Sequence, residues 1–374
     1  MKNKNKKPFD FWIFAAVILL LSLGTIMVFS SSYYISTKQN DGNAFVTLQT
    51  QLLYMALSIG VLIVTMNFDY RRWGKLSPLI LMVAIGLLIL VLIPGIGRES
   101  KGAQRWLNVP GFRSVQPSEI AKISLIMFLS FSLSKRKEVL QSFTKGLLPY
   151  LGLIGLIAGL VVIEPHLSGT LIIVITACVV LFCAGAKISH FIALAAPGIV
   201  GAIALIVFEP YRLARLNAWI DPFAPENKLG DGWQTVNSLL AVGSGGLFGR
   251  GLGQSMQKYL YIPEPFNDYI FAILAEELGF IGSLVVMLLF LVFIWRGIKV
   301  AMNAPDIFGS LMAAGITSLI GIQFLFNVAV VTNTIPSTGI SLPFFSYGGT
   351  SLMFLMFGVG ILLNISRFSN YERF

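Results

Sequence analysis

The sequence predicts an all-α integral membrane protein of ten transmembrane helices, with a large extracytoplasmic loop between the seventh and eighth. Three observations predict it. Of the 374 residues, 56% are hydrophobic and only 12% charged, and the mean hydropathy of +0.80 lies far above that of soluble chains. The apolar residues fall in runs near the ~20 that a helix needs to cross a hydrocarbon core ~30 Å thick. The basic residues give a net charge of +10, but they sit in short clusters between the apolar runs. That pattern orients a chain in a bilayer and does not indicate nucleic-acid binding.

The expected spans are 11–31, 49–68, 77–95, 118–134, 147–163, 167–186, 189–208, 267–296, 306–332 and 343–366. The first follows the basic start "MKNKNKKPFD", and its apolar run is too long for the h-region of a signal peptide, so it is expected to be retained. Ten spans put both ends on one side. Sixteen Lys and Arg lie on the side of the N-terminus and ten opposite, five of them in the long 209–266 loop, where the bias is weak. Both termini are therefore expected in the cytoplasm, with residues 1–10 and 367–374 flanking the spans. Polar segments 96–117, 209–266 and 332–351 then face outward, and loops of such length are usually functional. No tandem repeat or linker divides the chain, so residues 1–374 read as a single polytopic membrane domain.

Several metal and redox chemistries are poorly supported. Cys178 and Cys183 share one apolar run and point about 140° apart on a helix, which makes them packing residues. His166 and His190 are the only imidazoles, and no HExxH or CxxC motif accompanies them.

Charges inside or beside spans are the candidates for function. Glu119 and Lys122 in "SEIAK" share a helix face at spacing i, i+3. Glu119 stands ~24 Å up from the cytoplasmic cluster at Lys135, just inside the outer boundary. This is either a packing ion pair or part of a site, since intramembrane charges are costly and commonly functional. The outer loop "GSGGLFGRGLGQS" has glycines that let backbone N–H groups converge on an anion, with the Arg250 fork beside them. The plain alternative is a flexible turn. His166 in "VIEPHLSGT" reads as an interfacial hydrogen bonder more readily than as a catalyst.

The segment "IPEPFNDYIFAILAEELG" puts three acids ahead of an apolar run. Counting back ~20 residues from Arg296 places Glu276 and Glu277 at the outer hydrocarbon edge. Asp268 stands eight residues or ~12 Å higher if the helix continues, among the lipid headgroups. On such a helix Asp268 and Glu276 are about 80° apart and Glu277 is roughly opposite, so only one acid can support the Asp268 side. Asp268 is then either a helix cap or a catalytic carboxylate.

Four segments, "RWLNVPGFRSVQPSEIAK", "GDGWQTVNSLLAVGSGGLFGRGLGQS", "IPEPFNDYIFAILAEELG" and "TIPSTGISLPFFSYGGTS", occur here in an order and spacing that resemble the SEDS family (shape, elongation, division and sporulation; RodA/FtsW/SpoVE type). The resemblance covers about 11–368, and "SYGGTS" and "TGISLPFF" look closer to the division and sporulation branch. It implies a ten-span SEDS fold and a peptidoglycan glycosyltransferase. Such an enzyme polymerises lipid II on the outer face of the bacterial cytoplasmic membrane beside a class B penicillin-binding protein. The family's essential aspartate matches Asp268, and its intramembrane pair matches Glu119 and Lys122. Two positions depart from the pattern: Phe266-Asn267 stands where His-Thr is common, and His166 where an Asp often ends "(E/Q)PD".

The chemistry so implied is attack of a sugar hydroxyl on an anomeric carbon bearing a lipid pyrophosphate. Asp268 is the expected general base. Pyrophosphate is expected to meet Lys122, Arg105, Arg212, Arg215 or Arg250, with or without a divalent cation such as Mg or Mn. Glu119 is expected beside the substrate, with Glu276, Glu277 and His166 in support. Expected partners are the penicillin-binding protein, lipid II and membrane lipid, with no nucleic acid. Two rival readings are a lipid II flippase, against which the outer position of the charges argues, and a noncatalytic scaffold.

Overall fold

The computed structural model describes residues 7–100, 103–109, 112–136, 140, 142–208, 210–230 and 232–369. Helices occur at all ten expected spans: α1 Phe11–Gln39, α2 Val46–Asn67, α3 Tyr70–Val91, α4 Pro117–Ser134, α5 Leu148–Ile163, α6 Leu167–Cys183, α7 Ile188–Val207, α11 Ile270–Met302, α12 Ile307–Val331 and α13 Gly349–Ser366. Among the described residues, seven helices, those of α1, α2, α3, α5 with its preceding turn, α11, α12 and α13, are long and apolar enough to cross a membrane, and α6 is a shorter apolar helix.

Local chemistry sets many of the boundaries. Asp10, Asp69 and Asp306 each accept a backbone N–H at the start of α1, α3 and α12, the N-cap arrangement that satisfies otherwise unpaired donors. Pro117 opens α4, where its missing N–H costs nothing. Asp10 is also the buried partner of Arg296, at 2.7 Å, which ties the start of α1 to α11.

The all-α expectation is corrected in the outer segments. Residues 97–115 contain a three-stranded antiparallel sheet, β1 Gly97–Ser100, β2 Ala103–Val109 and β3 Phe112–Val115. The sequence separates these strands with Lys101-Gly102 and Pro110-Gly111, residue types that favour tight reversals over helix. The long loop is also structured, by α8 Pro210–Ile220, α9 Pro225–Lys228 and α10 Trp233–Ser244.

Two cores hold the bundle. The larger joins α1, α11, α12 and α13, with Phe290 stacked on Phe324 at a centroid distance of 4.2 Å. The smaller joins α3, α4, α5 and α6. α2 lies along α13, where Gly360 leaves room for Thr65.

The expectation that the eighth span runs on as one helix is overturned. α11 breaks at Gly279, whose φ of 68° and ψ of −166° belong to a region open essentially only to glycine. The "GSGGLFGRG" segment lies against this break. Arg250 and Gly251 donate backbone N–H groups to the carbonyls of Glu276 and Glu277, while Phe280 and Ile281 donate to those of Gly246 and Leu247. The glycines are thus neither a loose turn nor a phosphate cradle. They permit the close approach, since a Cβ on Gly249 would stand 2.1 Å from the Glu277 oxygen.

Candidate active site

A cavity of about 510 Å³ opens where the sheet, the start of α4, the α5–α6 break, the segment before α11 and the segment before α13 meet. Of the residues singled out in the sequence, Arg105, Glu119, His166 and Asp268 line it. Lys122 stands behind Glu119, its Nζ 2.7 Å from the carboxylate, and both side chains are buried.

Asp268 is not a helix cap. The N-cap of α11 is Tyr269, and no side chain caps that end. The backbone there is pinned by Asn327 of α12, which donates from Nδ2 to the Asp268 carbonyl at 2.7 Å and to the Ile340 carbonyl at 2.7 Å. Ser346 Oγ donates to the Asn267 carbonyl at 2.8 Å, and the Tyr347 N–H donates to the Phe266 carbonyl at 2.9 Å. These bonds fasten 266–268 to 340–347. Gly339 lies close under the carboxylate, where an added Cβ would come within 3.0 Å of Asp268 Oδ2. At the two departing positions, Asn267 donates to Glu264 at 2.9 Å, and Phe266 packs edge-on against Tyr347.

Glu276 and Glu277 do not support Asp268, which corrects the helical-wheel expectation. Both turn to residues 253–258. Glu276 accepts from Ser255 Oγ at 2.5 Å and from the Met256 N–H at 2.9 Å. Glu277 accepts from Ser30 at 2.7 Å and from Lys258 Nζ at 2.9 Å. Arg250 lies 3.6 Å from Glu276 and is not among the residues that line the cavity. Arg215 reaches the Ser337 carbonyl at 3.4 Å, two residues from Gly339. The side chain of Arg212 lies outside the described residues.

The α5–α6 break carries unusual protonation. Arg105 donates to the backbone carbonyls of Glu164 and Pro165. The Glu164 carboxyl is buried, and among the described residues neither of its oxygens has a hydrogen-bond partner. Burial pushes its pKa up to about 8, partly opposed by the Arg105 charge. Burial, reinforced by the charges of Arg105 and Lys122, pushes His166 down to about 3. His166 is then neutral at physiological pH, with Nδ1 3.3 Å from Gln116 Nε2. A neutral ring of such low basicity does not supply a cation to the cavity.

Glu164 imposes a pH dependence. Its folded pKa is raised, so its contribution to stability is complete below about 4.5 and is lost as pH rises towards 8. Depression of His166 acts in the opposite sense, but only below about 6.5. Between pH 6.5 and 8, thermal stability of the detergent-solubilised protein is expected to fall by up to about 2 kcal/mol, one proton's worth per pH unit. Glu164→Gln is expected to flatten that slope, and an unchanged slope would show that Glu164 is ionised in the fold.

Sequence reasoning missed Arg98, Trp106, Gln116, Glu264, Ser346 and Tyr347, all of which line the cavity. It also missed Asn327 behind them. Asn327 left a signal, being with Gln323 one of two amides in the otherwise apolar run "GIQFLFNVAVV". Arg98 and Glu264 could be placed only by folding.

Known proteins resemble this chain along almost its full length. The family model for the FtsW, RodA and SpoVE "cell cycle protein" group matches residues 11–371. The chain is 44% identical over 371 residues to stage V sporulation protein E of Bacillus subtilis, covering 99% of this chain and all of that protein. It is 39% identical over 367 residues to the probable peptidoglycan glycosyltransferase FtsW of Trichlorobacter lovleyi, covering 96% and 95%. Among solved structures, one chain described as part of a peptidoglycan synthase complex coordinating polymerization and crosslinking superposes with a TM-score of 0.78 at 26% identity, covering 96% of this chain and 98% of that one. The rod shape determining protein RodA of Thermus thermophilus superposes with a TM-score of 0.70 at 26% identity, covering 97% and 98%. A match along almost the full length, in sequence and in fold, means that this chain belongs to the FtsW/RodA/SpoVE family of membrane proteins.

Proposed function

We propose that this protein is a peptidoglycan glycosyltransferase that polymerises lipid II into glycan strands on the outer face of the cytoplasmic membrane. The observation that carries the reading is the Asp268 carboxylate, on a segment fastened through its backbone at a cavity that Arg98, Arg105 and Glu119 also line, with Lys122 behind Glu119. The apolar helices α1–α7 and α11–α13 support ten spans with both termini cytoplasmic, and the basic clusters support that orientation. High identity to sporulation and FtsW relatives favours the division and sporulation branch. A class B penicillin-binding protein is the proposed partner, supported by the likeness to a chain of a synthase complex.

In the proposed reaction, Asp268 accepts the proton of a sugar hydroxyl as its oxygen bonds to the anomeric carbon of the donor. The bond from that carbon to the pyrophosphate oxygen breaks, and the electron pair leaves with the pyrophosphate. One displacement inverts the anomeric centre. Arg98 and Arg105, which line the cavity, are the cations proposed to meet the leaving charge, with Lys122 behind Glu119 and Arg215 reaching Ser337. Among the described residues no three His, Cys, Asp or Glu side chains converge, so these residues form no metal cage of their own. Asp268 and Glu264 are the carboxylates that would touch a Mg or Mn ion carried in on the pyrophosphate, where such an ion supplies charge neutralisation.

The test is reconstitution in vesicles with the cognate class B protein and lipid II, with and without chelator. Glycan strands are the expected product. Lipid II movement across the bilayer without strands would favour the flippase, and strands equally abundant when this chain is omitted would favour the scaffold.

A further inference from the structure

A second cavity, of about 350 Å³, lies at the other end of α4 from Glu119, bounded by Arg71, Lys75, Phe131, Ser134, Asp306, Ile307 and Phe308. Its floor is aromatic. Phe131 meets Phe308 edge-on at 5.9 Å, and Tyr70 stacks on Phe308 at 6.0 Å. Gly74 makes that floor possible, because a Cβ there would stand 2.8 Å from Phe308 and 2.9 Å from Phe131.

The rim carries more positive charge than the protein neutralises. Arg71 and Lys75 stand at spacing i, i+4 on α3, where like charges repel. Lys135, at the end of α4, lies with its Nζ 4.0 Å from the Phe131 ring centroid. The nearby carboxylate, Asp306, is already taken by the Tyr70 hydroxyl at 2.5 Å, the Gly309 N–H at 2.7 Å and Arg71 Nε at 3.2 Å. Among the described residues, neither Lys75 nor Lys135 has a carboxylate partner. Membrane orientation explains basic residues at this end. It does not explain a ring-floored cavity among them.

An oxygen anion attached to an apolar chain would satisfy both halves of the cavity. We propose that it binds the phosphodiester of an anionic phospholipid, with the headgroup among Arg71, Lys75 and Lys135 and an acyl chain against Phe131 and Ile307. This rests on reading α3, α4 and α12 as membrane helices and is independent of the chemistry at Asp268.

Native mass spectrometry of the full chain, titrated with phosphatidylglycerol or phosphatidylcholine, tests the site. Retention of phosphatidylglycerol is expected to exceed that of phosphatidylcholine about tenfold. The double variant Lys75→Gln, Lys135→Gln is expected to lose that preference, while Lys187→Gln with Lys299→Gln keeps it. Equal retention by wild type and the Lys75/Lys135 variant overturns the proposal, as does equal loss in the control pair. Displacement of the lipid by equimolar glycerol phosphate would also overturn it, because the site would then recognise phosphate without its chain. All readouts are lipid retention, so a failure of glycosyl transfer leaves them unaffected.

Discussion

Asp268→Asn is expected to lower the rate of lipid II polymerisation by about 10²–10⁴-fold, the range that a general base contributes. The substitution keeps the size of the side chain and the backbone bonds to Asn327, so the loss should fall on the chemical step. Lipid II binding and association with the partner synthase are expected to persist. Asp221→Asn, in the outer loop, provides the comparison, since Asp221 Oδ1 accepts from the Ala224 N–H and Asp221 is not among the residues lining the cavity. Strand synthesis by purified complexes, read at saturating lipid II, measures the effect. An Asp268→Asn enzyme retaining more than about a tenth of the wild-type rate would remove the base from Asp268.

Gly279→Ala is expected to be strongly destabilising. It combines a backbone conformation that costs about 1–3 kcal/mol in any other residue with a collision that cannot relax. The new Cβ would stand 2.2 Å from the Gly249 nitrogen and 2.7 Å from the Leu247 oxygen, both main-chain atoms. A loss of more than about 3 kcal/mol follows, enough to deplete folded protein. Gly60→Ala, where a Cβ meets nothing within 4 Å, is expected to be neutral or slightly stabilising through helix propensity. Monodisperse yield and thermal midpoint in detergent compare the two. Equal midpoints for Gly279→Ala and wild type would show that the break is not fixed.

The long apolar helices were legible because their signal is local, as apolar runs separated by charged clusters. Their ends were less so. α1 continues to Gln39 through the polar "SSSYYISTKQ", where composition stops indicating a helix but hydrogen bonding does not. Asp268, Glu119 and Lys122 could be singled out because a charge in an apolar setting is conspicuous. The partnership of Arg98 with Asp268 in one cavity was not legible, since it depends on a sheet 170 residues away folding over the start of α4. Glu276 and Glu277 misled the helical wheel for a definite reason. They lie just before Gly279, and the wheel supposes that the helix carrying them begins high enough to include Asp268, whereas α11 starts at Ile270. Their real partners, Ser30 and residues 255–258, are set by the broken helix and the glycine segment together.

The pairing of the Gly279 break with residues 246–251 also fixes an order of biogenesis. Those residues precede Gly279 in the chain, so they leave the ribosome before α11 is complete. When the break enters the membrane, the groups that satisfy it have already been synthesised and need only fold back. A cut or an inserted domain between Gly251 and Ile270 would divorce the two, and the buried carbonyls of Glu276 and Glu277 would then lose the N–H groups of Arg250 and Gly251.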